Sequence, residues 1–283
     1  MSVARLFFAL GLCAAALLSR SGVSAADAPR RVVSANLCSD QLLLALADRE
    51  QIASLSPYAR DHAMSHLAAL AAPYDLNRGS GEDLIRLDAD LVLIGPYDSR
   101  YTRALLAKRN LRFESLQPWS SLEEGKKQIR FLANMLGHGG RGEALIAEIE
   151  RARARLAGLA ARQGRAPSVL VLHRRGYVFH AGVTGELLAA AGFTNAAERI
   201  GLSGAGFVSL EAILTAKPDF LLVSDIIDGA EDQGQAFLQH PALERLYPAS
   251  KRLVAPDRLT LCGGPSTPDL IDRLAAEIRA KVR

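Results

Sequence analysis

Two cysteines, Cys38 and Cys262, stand near opposite ends of the chain and could form a disulfide bond. Their separation in sequence is no obstacle, because a disulfide requires only that the two Cα atoms come within about 7 Å in the fold. The alternative is a pair of free, separately buried thiols, which pack as small apolar groups. The sequence leaves both alternatives open.

Histidines could bind a metal ion. His62 and His66 are four residues apart, which would place both imidazoles on one face of a helix at a spacing that zinc sites use. The sequence provides neither a metalloprotease glutamate nor a third ligand nearby, so a solvated helix face is favoured and no metal site is predicted. His173 and His180 stand near strand ends, where histidines are usually packed or hydrogen-bonded; ligation of haem iron is the alternative.

Motifs for covalent or phosphate chemistry are missing from the sequence. It contains no Gly-x-Ser-x-Gly, no Cys-x-x-Cys and no Gly-x-x-x-x-Gly-Lys. A secreted hydrolase, or a thiol oxidoreductase using Cys38 and Cys262, is therefore a disfavoured alternative. A receptor for free metal ions is disfavoured too, because there is no His-rich loop. We expect a protein that is not an enzyme and that needs no cofactor.

The N-terminal residues 1–26 have the pattern of a secretory signal peptide. Arg5 precedes the apolar run Leu6–Leu18, and small residues lead to Ala26, with no acid in the segment. The apolar run is shorter than the roughly 20 residues needed to span a bilayer, so we predict cleavage and export to the periplasm rather than a membrane span. Cleavage removes two arginines and lowers the formal net charge from +4 to +2, which does not indicate nucleic-acid binding.

The elements that position these residues alternate between strand and helix. Short apolar strands are predicted at 31–34, 51–56, 89–94 and 111–115, with helices between them, which is typical of parallel sheets covered by helices. Residues 121–163 form a predicted linker helix that starts at a Ser121-to-Glu124 capping box and bends at the glycines 137–140. We therefore expect an α/β lobe over 27–120, the linker helix, and a second α/β lobe over 164–283.

The two lobes contain matching segments that begin at Glu82 and Glu211. Each glutamate starts a helix, and an acid eight residues later, Asp90 or Asp219, opens an apolar strand. A glutamate at a helix start is also favoured simply by the helix dipole. The order of the predicted elements, with one matching segment in each lobe and a long helix between the lobes, resembles that of the cobalamin-, haem- and siderophore-binding proteins of ABC importers. The resemblance implies two small α/β lobes joined by one long helix, a ligand cleft between the lobes, and docking of Glu82 and Glu211 onto the importer's permease.

The resemblance also places the ligand, a metal chelate, among the loops that follow the strands. Trp119 is the only tryptophan and could stack on a macrocycle or a catechol, tyrosines offer flat faces with a polar tip, and arginines suit carboxylate, phosphate or catecholate oxygens. Each of these side chains could instead be an ordinary exposed or packed residue. The predicted ligand-binding residues are Asn36, Tyr58, Arg78, Tyr97, Trp119, Arg174, Arg175, Tyr177 and Phe207.

Overall fold

A computed structural model of the chain describes residues 28–98, 100–159, 165–179, 182–202, 205–224 and 233–282. The predicted signal peptide, residues 1–26, lies outside these ranges. Within them, no helix combines the length and the apolar character that crossing a bilayer requires.

The first lobe is built on a parallel sheet. Its strands are β1 (Val32–Ser34), β2 (Ile52–Ser54), β3 (Leu91–Ile94) and β4 (Phe113–Ser115), in the order β2-β1-β3-β4. The helices of this lobe are α1 (Leu37–Leu46), α2 (Gly81–Arg86) and α3 (Arg100–Lys108). All four residues of β3 are buried, because helices cover both faces of the sheet. The predicted α/β class is confirmed, and β2 lies at an edge of the sheet.

The predicted linker region, residues 121–163, contains a helical hairpin that reverses at the glycines where a bend was predicted. Helix α4 (Leu122–Met135) and helix α5 (Gly139–Ala157) run antiparallel. Lys126 Nζ of α4 lies 2.7 Å from Glu150 Oε1 of α5. A Cβ on Gly142 would lie only 2.6 Å from the Cβ of Ala133, so the two helices are in close contact.

The chain reverses at Gly137, whose φ of +83° favours glycine. The reversal lets the apolar faces of α4 and α5 cover each other, whereas one straight helix would leave much of both faces to solvent.

The second lobe contains a mixed sheet rather than a purely parallel one. Its strands are β5 (Ser168–Leu172), β6 (Tyr177–Phe179), β7 (Thr194–Asn195), β8 (Ala205–Phe207), β9 (Phe220–Val223) and β10 (Arg252–Val254). The order is β10-β9-β5-β6-β8, with β7 beside β5; β6 is antiparallel to both β5 and β8. The helices are α6 (Val183–Ala190), α7 (Leu210–Ala216), α8 (Gln233–Leu238), α9 (Pro241–Leu246), α10 (Asp257–Thr260) and α11 (Thr267–Lys281).

The lobes and the hairpin share one apolar interior. Helix α5 packs against α4 on one side and α11 on the other, and α1 contacts both α4 and α5. A single cluster of buried residues includes members from the first lobe, the hairpin and the second lobe, among them Leu42, Leu46, Leu93, Ile129, Ile149, Val169, Leu187, Ile271 and Leu274. The lobes are therefore not separate bodies on a free tether.

In the matching segments of both lobes, an aspartate accepts hydrogen bonds at the start of a neighbouring strand. Asp90 accepts hydrogen bonds from the backbone N–H groups of Arg30 (2.6 Å) and Arg31 (3.1 Å), just before β1. Asp219 accepts from the N–H (2.8 Å) and the hydroxyl (2.7 Å) of Ser168, the first residue of β5. In each lobe the carboxylate thus aligns two neighbouring parallel strands.

Asp40 is a buried carboxyl in the first turn of α1. It accepts hydrogen bonds from the N–H (3.0 Å) and the hydroxyl (2.5 Å) of Ser56. Burial raises the pKa of Asp40 from 3.8 to about 6, although the hydrogen bonds from Ser34 and Ser56 work in the opposite direction. The folded protein therefore holds a proton on Asp40 at pH values where the unfolded chain has lost it.

We expect Asp40 to make stability fall as the pH rises from about 4 to about 6. At about 1.4 kcal/mol for each pH unit of pKa difference, the loss is about 3 kcal/mol. An Asp40→Asn variant lacks this proton, so the difference in free energy of unfolding between variant and wild type should change with pH by that amount. Urea unfolding at several pH values measures it; a difference independent of pH would contradict the raised pKa.

Candidate binding cleft between the lobes

A cleft between the lobes contains a cavity of about 260 Å³. The first lobe contributes residues that follow β1 and β3, the segment between β4 and α4 forms part of the wall, and the second lobe contributes the ends of β5 and β6 and residues between α10 and α11. Such pockets usually measure about 300 to 1,000 Å³ for a small-molecule ligand. The cavity can therefore enclose one edge of a large ligand, whose remainder would extend over the rim.

Asn36 joins the start of α1 to the cleft. Its side-chain oxygen accepts the N–H groups of Cys38 (2.9 Å) and Ser39 (3.4 Å), which caps the helix. Its side-chain amide nitrogen lies close to Gly95. A Cβ added at Gly95 would lie only 2.6 Å from this nitrogen. Glycine at position 95 therefore makes room for the capping residue at the cleft wall.

Trp119 is packed between two glycines rather than exposed on a loop. A Cβ on Gly125 of α4 would lie 2.2 Å from the indole, and a Cβ on Gly263 of the second lobe would lie 2.3 Å from it. The indole nitrogen donates to Gln128 Oε1 at 3.1 Å, and the side chain is only 8% exposed. Trp119 is thus a fixed part of the cleft floor that contacts both the hairpin and the second lobe.

A disulfide bond joins Cys38 to Cys262, with the two Cα atoms 5.2 Å apart. Cys38 is the second residue of α1, and Cys262 lies between α10 and α11. Both residues line the cavity. The bond therefore connects the two lobes directly at the cleft.

His173 follows β5 and lines the cavity. Burial lowers the pKa of its imidazole below the usual 6.5, although the negative charge of Asp257 works in the opposite direction. The ring is therefore neutral at neutral pH, and a neutral imidazole has a lone pair that can bind a metal. The lone-histidine pattern in the sequence indicated this position but could not separate packing from ligation.

The described lining of the cavity contains no lysine, arginine, aspartate or glutamate. Its polar side chains are neutral amides and hydroxyls, together with His173; they come from Asn36, Tyr97, Gln117, Gln128, Thr184, Thr260 and Thr267. Exposed apolar side chains stand at the edge, including Tyr97, Phe179 and Leu261. The cleft therefore suits a ligand with a broad apolar face and hydrogen-bonding groups at its margin.

Three of the nine predicted ligand-binding residues line the cavity: Asn36, Tyr97 and Trp119. Tyr58 is exposed in the turn after β2, and Arg78 lies before α2, where its N–H donates to Asp83. Neither residue lines the cavity, because both lie at the β2 edge of the sheet, whereas the cleft is lined by residues that follow the central strands β1 and β3.

The remaining four predicted residues belong to the antiparallel part of the second sheet. Arg174 and Arg175 form the turn between β5 and β6, where Arg175 is exposed and has a φ of 59°. Tyr177 and Phe207 pair across β6 and β8, with ring centroids 5.2 Å apart in an edge-to-face contact. None of the four lines the cavity. They belong to a β-hairpin and its partner strand, whereas the sequence pattern predicts a loop that faces the cleft.

The segment 62–66 consists of turns rather than the helix that its histidine spacing suggested. His66 instead lies 3.7 Å from Asp269 at the start of α11. Among the described residues, no group of three or more His, Cys, Asp or Glu could hold a metal ion. His180 lies outside the described residues.

Residues 32–252 match the sequence family described as periplasmic binding protein. The apo structure of the periplasmic haem-binding protein RhuT from Roseiflexus sp. RS-1 is 28% identical, with a TM-score of 0.71, over 89% of this chain and 99% of that one. A periplasmic haem-binding protein from Pseudomonas aeruginosa is 22% identical, with a TM-score of 0.70, over 89% and 93%.

The periplasmic haem-binding protein HutB of Vibrio cholerae is 17% identical, with a TM-score of 0.69, over 87% of this chain and 97% of that one. At these lower identities, the Pseudomonas and Vibrio proteins show a shared fold. No curated protein sequence matches the chain.

Replacing Gly263 by alanine should lower the free energy of unfolding by about 1 to 3 kcal/mol, the usual cost of overpacking. The new Cβ would lie 2.3 Å from the indole of Trp119. Gly140→Ala in α5 is the matched control, because no atom lies within 4 Å of its new Cβ. Urea unfolding followed by tryptophan fluorescence compares the two; equal stability of the two variants would show that the contact tolerates a side chain.

Proposed function

Because the chain belongs to the periplasmic binding protein family, we propose that it captures a metal chelate in the cleft between its lobes and delivers it to an ABC importer. The observation that carries the proposal is the interlobe cavity, which has a packed aromatic floor, neutral polar walls and an apolar rim. The candidate ligands are haem, a ferric siderophore and a cobalamin-type corrinoid, which all present an extended face around a metal.

Haem is supported by the similarity to the haem-binding protein RhuT. His173 could bind the iron of such a ligand, because its neutral ring lines the cavity. Haem carries two carboxylates, and a carboxylate buried without a cationic partner is costly. Because the described lining holds no arginine or lysine, the carboxylates of bound haem would point out of the cavity towards solvent.

Export to the periplasm is part of the proposal. It rests on the signal-peptide pattern of residues 1–26 and on the disulfide between Cys38 and Cys262, a bond that persists in oxidising compartments. The protein would act by binding and release, without catalysis and without a resident cofactor.

Glu82 and Glu211 are proposed to dock the protein on the permease. Both are exposed and stand second in short helices, α2 and α7, that begin with a capping serine, Ser80 or Ser209. The hydrogen bonds of Glu211 with its own backbone N–H and with Ser209 lower the pKa of its carboxyl, so it is charged at neutral pH. A carboxylate on each lobe that meets a basic partner would set orientation and speed association.

Titration with a chelate that the protein binds should quench the fluorescence of Trp119. The indole lines the cavity, and it is the only tryptophan in the chain. Haemin, cyanocobalamin and ferric desferrioxamine are suitable probes, with calorimetry as the independent measure of binding and the visible spectrum of protein purified from its native host as a guide. Saturable binding without quenching would place the ligand elsewhere, and binding of none of the three would count against the proposed function.

Glu82→Ala combined with Glu211→Ala should weaken docking to the permease and leave chelate affinity nearly unchanged, because neither residue lines the cavity. Co-sedimentation with permease reconstituted in lipid nanodiscs measures docking, and calorimetry measures chelate affinity. Glu148→Ala, an exposed position on α5, is the control. If the folded double variant docks like the control, or loses the chelate, the assignment of these glutamates is wrong.

A further inference from the structure

The disulfide gives the two lobes a second covalent connection. The main chain passes from one lobe to the other through α4 and α5, and the Cys38–Cys262 bond joins the lobes again at the cavity wall. Two connections at different points restrict rotation of one lobe against the other more than a single hinge does.

The residue next to the disulfide covers the floor of the cleft. Gly263 follows Cys262 directly, and its backbone lies so close to Trp119 that an added Cβ would be 2.3 Å from the indole. Trp119 belongs to the segment before α4, so this contact crosses from the second lobe to the hairpin. Trp119 is only 8% exposed, with Gly263 and Gly125 both packed against its indole.

The loop that carries Gly263 is folded mainly onto its own lobe. The Ser266 hydroxyl donates to the carbonyl of Cys262 at 2.8 Å, and the N–H of Gly264 donates to Thr267 Oγ1 at 3.0 Å. Towards the first lobe, the loop is joined by the disulfide, the carbonyl oxygen of Leu261 lies 3.8 Å from Cys38 Sγ, and Gly264 approaches Leu42, whose Cδ2 would lie 3.1 Å from an added Cβ. The disulfide is therefore the strong attachment of the loop to the first lobe.

We propose that the Cys38–Cys262 bond is a positioning element that holds Gly263 against Trp119 and keeps the floor of the cleft closed. Movement on binding and release is then confined to the rim, where Tyr97 is 90% exposed. A permease that engages both lobes would move the rim and not the floor. This role does not depend on which ligand the cleft takes.

Acrylamide quenching of Trp119 tests the proposal without a ligand, because no other tryptophan contributes to the signal. The oxidised wild type should show weak quenching. The Cys38→Ser/Cys262→Ser variant, and wild type reduced with a phosphine, should show a severalfold larger Stern–Volmer constant while circular dichroism remains native. The Cys38→Ala/Cys262→Ala variant controls for the polarity of serine and should behave alike.

If the disulfide contributes only to global stability, the quenching experiment gives a different result. Its loss would lower the urea midpoint and leave quenching under native conditions unchanged, and that outcome would overturn the proposal. If the proteins without the bond fail to fold, hydrogen exchange in the oxidised wild type decides. Protection of the Trp119 indole N–H, which donates to Gln128, to the level of the β9 amides supports a closed floor, and exchange at the rate of an exposed indole refutes it.

Discussion

The apolar interior shared by the two lobes and the α4–α5 hairpin is the constraint on which the rest of the molecule depends. Helix α5 is covered by α4 and α11, and the buried cluster continues from Leu46 through Ile149 to Leu274. Separating the lobes would expose this layer to water, which the hydrophobic effect opposes. The cleft is therefore a groove along a continuous core. Tightly packed residues form its floor, and exposed surface segments form its rim.

Within that frame, small residues decide how closely the parts approach. Trp119 fits because both Gly125 and Gly263 lack a side chain, and α4 and α5 touch where Gly142 meets Ala133. Close packing of this kind leaves little freedom to the groups involved. Ligand recognition in the proposed site would then combine a rigid floor with adaptable exposed side chains such as Tyr97 at the edge.

The two lobes are constructed alike where they would meet a partner. In each, a capping serine starts a short helix, a glutamate follows it, and an aspartate ties the next strand to its neighbour. The chain leaves both helices in the left-handed region, at Asp88 (φ 49°) and Lys217 (φ 45°). The repeated serine caps and aspartate hydrogen bonds hold Glu82 and Glu211 at equivalent positions in the two lobes.

The sequence by itself determined the α/β class and the matching segments, because short apolar runs such as Leu91–Ile94 alternate with helical patterns, which is typical of a parallel sheet covered by helices. It could not decide whether residues 122–157 form one helix or two, since their amphipathic pattern suits both. The contact of Gly142 with Ala133 and the ion pair of Lys126 with Glu150 distinguish them. Strand order decided which residues line the cleft. Tyr58 follows β2, an edge strand of the first sheet, and His173 follows β5, the central strand of the second. The pairing of Cys38 with Cys262 likewise required the approach of the two lobes, because distance in space and not in sequence decides which thiols can join.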